Sequence, residues 1–231
     1  MLLLTLCKLS ILNSSRFPYY SYNAWSSLLT TKHLPSPMHE KILPIISDGF
    51  GLTLRRLPPS IRRRIAIVRN QGFAAFQGKY NGSQKAPDLA LQVTNDAGGR
   101  EVKFVVEVGL SESYEELISD AKMWLEGTRT VSLVMLIKFE ETPRYECPTK
   151  NLTDRQLAEL RFPQPIEIMN EPFTLTGPYG PAVYKGLVWM GKVSGFFEFW
   201  GRNSLSGLAT CVTSRMVCYS LRNVRYISLP I

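Results

Sequence analysis

The sequence predicts an α/β fold in which a mixed β-sheet is flanked by helices, and three stretches carry that prediction. Asn95, Asp96, Gly98 and Gly99 form the strongest turn signal in the chain and separate two strand-like runs, PDLALQV and EVKFVVEVG. Within Glu112–Glu126, the residues Tyr114, Leu117, Ile118, Ala121, Trp124 and Leu125 recur at i, i+3, i+4, i+7, i+10 and i+11, a single apolar helical stripe. TVSLVMLIKF is then apolar almost without interruption, as a strand covered on both faces should be. Hairpin, helix and buried strand in succession make an α/β sandwich.

The remaining elements follow in chain order. Residues 1–38 are Ser-rich and aromatic (SSRFPYYSYNAWSS) with no sustained period of 3.6 or 2, and read as an irregular N-terminal extension. In HEKILPIISDG the apolar residues are broken by Pro44. Pro58 and Pro59 lead into SIRRRIAIVRNQG, which reads as a short helix closed by Gly72. Asn81-Gly82 marks a turn before PDLALQV. The central helix has Ser111 as its expected N-cap, acidic residues in its first turns and Gly127 as its stop. Seven prolines between Pro143 and Pro181 punctuate a poorly periodic stretch, read as a long insertion over about 142–184. YKGLVWM, VSGFFEFW and CVTSRMVCYS add strands over about 185–231. Residues 39–231 thus read as one domain with its core at about 55–140, a size suited to one hydrophobic core.

Composition narrows the function. With 45% apolar and 20% charged residues the chain has the make-up of a globular protein. Its net charge of +8 favours polyanionic partners: nucleic acid, acidic lipid or acidic protein. The charge is uneven: acids outnumber bases between Asp88 and Glu141, whereas Arg55, Arg56, Arg62, Arg63, Arg64 and Arg69 form the densest basic cluster. Arg62, Arg63 and Arg64 are the candidate phosphate contacts, although such a cluster also suits a solvated helix face. Four scattered cysteines form no disulfide framework and no zinc pair, which points to an intracellular setting, nucleus or cytoplasm. The apolar start, Met1–Leu12, leaves secretion as the alternative. No apolar run approaches the roughly 20 residues of a membrane span. Two histidines, both before residue 40, give a His-based triad or zinc hydrolase little to draw on, and no nucleotide-cradling glycine motif occurs.

Two carboxylates stand out. Asp88 opens one strand of the predicted hairpin, and Glu107 lies inside the other, embedded in VVEVG. A carboxylate among valines needs a cation or donor to keep its charge. Two such groups on paired strands could hold one hard divalent cation, Mg²⁺ or Mn²⁺, completed by water. The alternative is that Glu101, Lys103, Val105 and Glu107 share a solvated face by period 2, with Asp88 serving only a strand-entry turn.

The series PDLALQV, a Gly-rich turn, VKFVVEVGLSES, YEELISDAKMWL and VSLVMLIKF resembles the core of the PD-(D/E)XK, or restriction-endonuclease-like, nuclease superfamily, especially a group from fungal genomes. The resemblance spans about Ile61–Phe139 and extends to GFFEFWGR. It implies an αβββαβ core with C-terminal strand additions, Mg²⁺-dependent hydrolysis of phosphodiester bonds in nucleic acid, and Asp88 and Glu107 as metal ligands and catalytic residues. The chain departs from the pattern two residues after Glu107, where Gly109 replaces the expected lysine. In some branches that lysine comes from the following helix, which makes Lys122 the third catalytic candidate. Lys122 sits roughly 95° from the centre of the apolar stripe, a position equally suited to a surface lysine beside Glu126. Without a lysine, the same resemblance implies a catalytically inactive nuclease-fold module that binds nucleic acid or a protein.

Overall fold

The computed structural model describes residues 19–32, 37–160, 174–177, 179–213 and 215–218. The described part of the N-terminal region is a hairpin and not an irregular extension: β1 (Tyr19–Asn23) pairs antiparallel with β2 (Leu28–Lys32). Tyr and Thr favour extended backbone. Most of their side chains remain at least partly exposed, so no buried face imposes the alternation by which a strand is read.

Helix α1 (Pro37–Leu54) runs straight through Pro44, where the sequence reading saw a break. An internal proline removes one helical hydrogen bond, but Ile42 and Leu43 just before it are buried, and Phe50 sets its ring edge-on to Phe104 at 5.4 Å. Helix α2 (Pro59–Arg62) is a single turn, shorter than the helix expected up to Gly72. The next residues form β3 (Ile65–Val68) because their β-branched side chains find a partner strand, with Ile65 opposite Val93 and Val68 opposite Ala90.

The hairpin expected around Asn95–Gly99 is present as β4 (Leu89–Thr94) and β5 (Arg100–Gly109). The Asn95 side chain closes the turn by accepting from Gly99 N–H at 2.8 Å. The register shifts midway: Leu91 faces Phe104, but Gln92 faces Val102, leaving Lys103 as an extra residue. That bulge reverses the alternation of β5. Val102, Val105 and Glu107 therefore share one side with Ala90, while Glu101 falls on the other, paired with Lys103 at 2.7 Å.

Helix α3 (Tyr114–Gly127) packs Leu117, Ala121, Trp124 and Leu125 into a core with Ala90, Val102, Val105, Val134 and Leu136. Its N-cap is Ser113, two residues later than expected, and the cap is a full box: Ser113 Oγ accepts from Glu116 N–H while Glu116 accepts from Ser113 N–H. Gly127 is the last residue of the helix, where its stop was expected. A Cβ there would lie 3.0 Å from both Phe76 and Tyr80, so the missing side chain lets the helix sit against those rings. The carbonyls at the helix end are met by Arg202, which donates to Leu125 O, Thr128 O and Val131 O.

Strand β6 (Leu133–Thr142) completes the α-β-β-β-α-β order. Helix α4 (Asp154–Leu160), β7 (Thr174–Leu175) and β8 (Ala182–Tyr184) lie in the stretch read as a long insertion, and β9 (Leu187–Met190), β10 (Lys192–Arg202), β11 (Ala209–Cys211) and β12 (Met216–Cys218) follow. The main sheet is mixed and runs β11-β10-β6-β5-β4-β3, with β12 also on β10, and β7-β8-β9 form a separate sheet. By compactness the chain divides into two units, where the sequence reads as one domain with an insertion. One unit holds residues 1–137 and 198–214, the other 138–197 and 215–231. Among the described residues no helix is long and apolar enough to cross a membrane.

Candidate metal centre

The site lies in the first unit, where β4 begins and β5 ends. The last paired residues there are Leu89 and Val106, so the ladder sets Asp88 beside Glu107, on the side that faces α3. Asp88 Oδ2 accepts from Val108 N–H at 2.8 Å, which continues the ladder by one side-chain bond and fixes the carboxylate against the peptide following Glu107. Glu107 Oε1 accepts from the Trp124 indole N–H at 2.6 Å. Trp124 thus fills the core as expected, with Phe73 and Phe76 rings at 5.5 and 5.2 Å, and also holds the carboxylate in place.

The lysine beside these carboxylates is Lys85, and sequence reasoning missed it. It lies in the strap Ser83–Pro87, which exchanges two backbone hydrogen bonds with Phe73 through Lys85 itself and two with Tyr22 through Gln84. Lys85 Nζ is 2.6 Å from Asp120 Oδ2 and 3.7 Å from Glu107 Oε1. Burial works against its charge, but Asp120, Glu107 and, to the least extent, Glu112 outweigh burial and hold the ammonium above its ordinary range. Its stabilising charge is therefore complete below pH 10.5 and is lost only as the pH rises beyond that value. Asp120 comes from the helix stripe's polar edge, a position that looks like surface in the sequence. The strap has no periodic pattern to mark Lys85 as inward, and only its spacing three residues before Asp88 could have drawn notice.

Lys122 is exposed on α3 and is not the lysine at Glu107. Gly109 could not have supplied one either: a Cβ there would come 2.7 Å from Leu117 Cδ1, and Leu117 is fully buried. Gly109→Lys is accordingly expected to cost about 1–3 kcal/mol through overpacking, read as a lower thermal midpoint. A variant as stable as the parent would show that Leu117 yields freely.

Arg62, Arg63 and Arg64 do not join the carboxylates. Arg64 N-terminal to β3 donates through Nε to Thr94 O at 2.8 Å and pairs with Asp96 at 2.8 Å, at the far end of β4 from Asp88. Six residues of strand separate the two ends by about 20 Å. All three arginines are exposed. A second buried glutamate, Glu198 of β10, lies in the same unit and accepts from Tyr114 O–H and, at 2.9 Å, from Trp200 Nε1–H.

The donor chemistry suits a hard divalent cation: two buried carboxylates on adjacent strands, each oriented by an N–H donor. Among the described residues no cluster of three or more His, Cys, Asp or Glu side chains is placed to hold a metal ion, so the protein would offer a cation there two carboxylates at most. Compared with protein-family models, curated proteins and solved structures, the chain matches none.

Proposed function

We propose that this chain is a metal-dependent phosphodiesterase of the PD-(D/E)XK nuclease-like type, in which Asp88 and Glu107 hold Mg²⁺ or Mn²⁺. The observation that carries the reading is Lys85, whose ammonium lies 3.7 Å from Glu107 and provides the positive charge that Gly109 cannot. When bound, the cation supplies a Lewis acid and an acidified water. In this reading the protein's own part is electrostatic: Lys85, kept charged by Asp120, offsets the negative charge that develops on phosphate. Val108 N–H and Trp124 Nε1–H hold the carboxylates in register without reorganisation.

Labelled single-stranded and duplex DNA and RNA, incubated at low salt with Mg²⁺ or Mn²⁺, test this reading. Cleavage that stops in EDTA is expected. A second reading, an inactive nuclease-fold module that binds nucleic acid or a protein, is favoured by the depth of Asp88, Glu107 and Lys85, each at most 4% exposed. Binding with no cleavage under either metal would establish it in place of the first.

A further inference from the structure

The β1–β2 hairpin presents large apolar side chains to solvent: Trp25 is 64% exposed, and Tyr20, Leu28 and Leu29 are each about half exposed. Exposed aromatic surface of this kind marks a contact surface when the backbone holds it in place. Here the backbone does so. Asn23 Oδ1 accepts from Trp25 N–H at 3.0 Å and from Ser26 N–H at 3.3 Å, which fixes the turn that carries the indole. Ala24 N–H donates to Ser83 Oγ at 2.9 Å, and Tyr22 exchanges two backbone hydrogen bonds with Gln84. The hairpin is thereby bonded to the strap that places Lys85 and Asp88. A cation stands at the same indole: Lys79 Nζ lies 5.3 Å from the Trp25 ring centre and pairs with Glu126 at 2.7 Å, and its side chain remains 39% exposed.

From this geometry we infer that the hairpin is a recognition arm for single-stranded nucleic acid, with Trp25 stacking on an unpaired base and Lys79 meeting the backbone. This deepens the proposed nuclease reading and rests on it for the class of ligand. A paired base offers its face to its neighbours, so a single indole at a hairpin tip finds an open π-face only on an unpaired one. A basic chain with a cation at that indole suits a polyanion better than an apolar partner.

The test is binding of fluorescein-labelled oligothymidylate, and of a duplex of equal length, to the full chain in EDTA, so that affinity is read without cleavage. Trp25→Ala should weaken single-strand binding by about 10-fold, the scale of one lost stacking platform, and leave duplex binding unchanged. Trp25→Phe should recover most of the loss. Trp25 is an exposed residue, so the thermal midpoint of either variant should stay near the parent's. Equal single-strand affinity in Trp25→Ala, or equal losses on single strand and duplex, would overturn the arm. So would a Trp25-dependent dimer with no effect on binding, since the hairpin would then serve self-association. Trp25-dependent binding without metal-dependent cleavage would keep the arm and defeat the nuclease reading, whereas cleavage with Trp25-independent binding would do the reverse.

Discussion

Lys85→Met is expected to destabilise the folded chain by about 3–5 kcal/mol, the usual consequence of removing one partner from a buried ion network. In a chain of this length that loss lowers the thermal midpoint by about 10 °C. Methionine keeps most of the stem, so the loss is mainly electrostatic. Asp120 retains some contact with water at 16% exposure and can be hydrated when its partner goes, but Glu107 at 1% cannot. The penalty therefore falls on Glu107, and adding Glu107→Gln to Lys85→Met should recover part of it. The deficit should also shrink in acid, where a proton neutralises the stranded carboxylate. In the opposite direction, the parent's advantage over Lys85→Met should fade above pH 10.5, as the unfolded chain's lysine gives up its proton before the folded one does. Denaturation of the parent, the single and the double variant across pH checks all three statements. An unchanged midpoint in Lys85→Met would show that the Lys85–Asp120–Glu107 network contributes nothing to the fold.

Asp88→Asn and Glu107→Gln are each expected to reduce metal-dependent cleavage by at least about 100-fold, the scale on which preorganised electrostatic groups act. Both replacements keep an acceptor oxygen where the structure uses one, toward Val108 N–H and toward Trp124 Nε1–H, so the strand ends and the indole keep their hydrogen bonds. Each removes a negative charge from the pair. Metal-induced stabilisation should disappear with the activity, because an organised acidic pair exists only in the folded chain and binding to it stabilises by mass action. Thermal midpoints with and without Mg²⁺, measured beside the cleavage rates, separate a lost site from a lost fold. Cleavage at parental rates in either variant would remove that residue from the site.

Much of this arrangement was legible beforehand because it is local. The Asn95–Gly99 turn has one natural backbone solution between two β-prone runs, and it brings Asp88 and Glu107 to neighbouring strands. The stripe from Tyr114 to Leu125 can bury itself only as a helix, and the charge of Glu107 among valines announces that a partner must exist. The identity of that partner was a different matter. Lys85 sits on an irregular strap held by single backbone bridges, Phe73 to Lys85 and Tyr22 to Gln84, 12 and 62 residues apart, and no periodicity records such contacts. The bulge at Lys103 likewise decided which face Glu107 joins. Strict alternation would have put Glu107 with Glu101, and one extra residue reversed the pleat. Gly109 looked like a missing lysine in the sequence, but packing makes it a seat for Leu117. By itself, then, the sequence determined the hairpin, the helix and the two carboxylates, since each depends on backbone preferences and patterns within a few residues. The tertiary structure decided which cation meets them, which lysine stays in solvent and how far the arginines lie from the site, because those outcomes depend on which distant segments share one buried face.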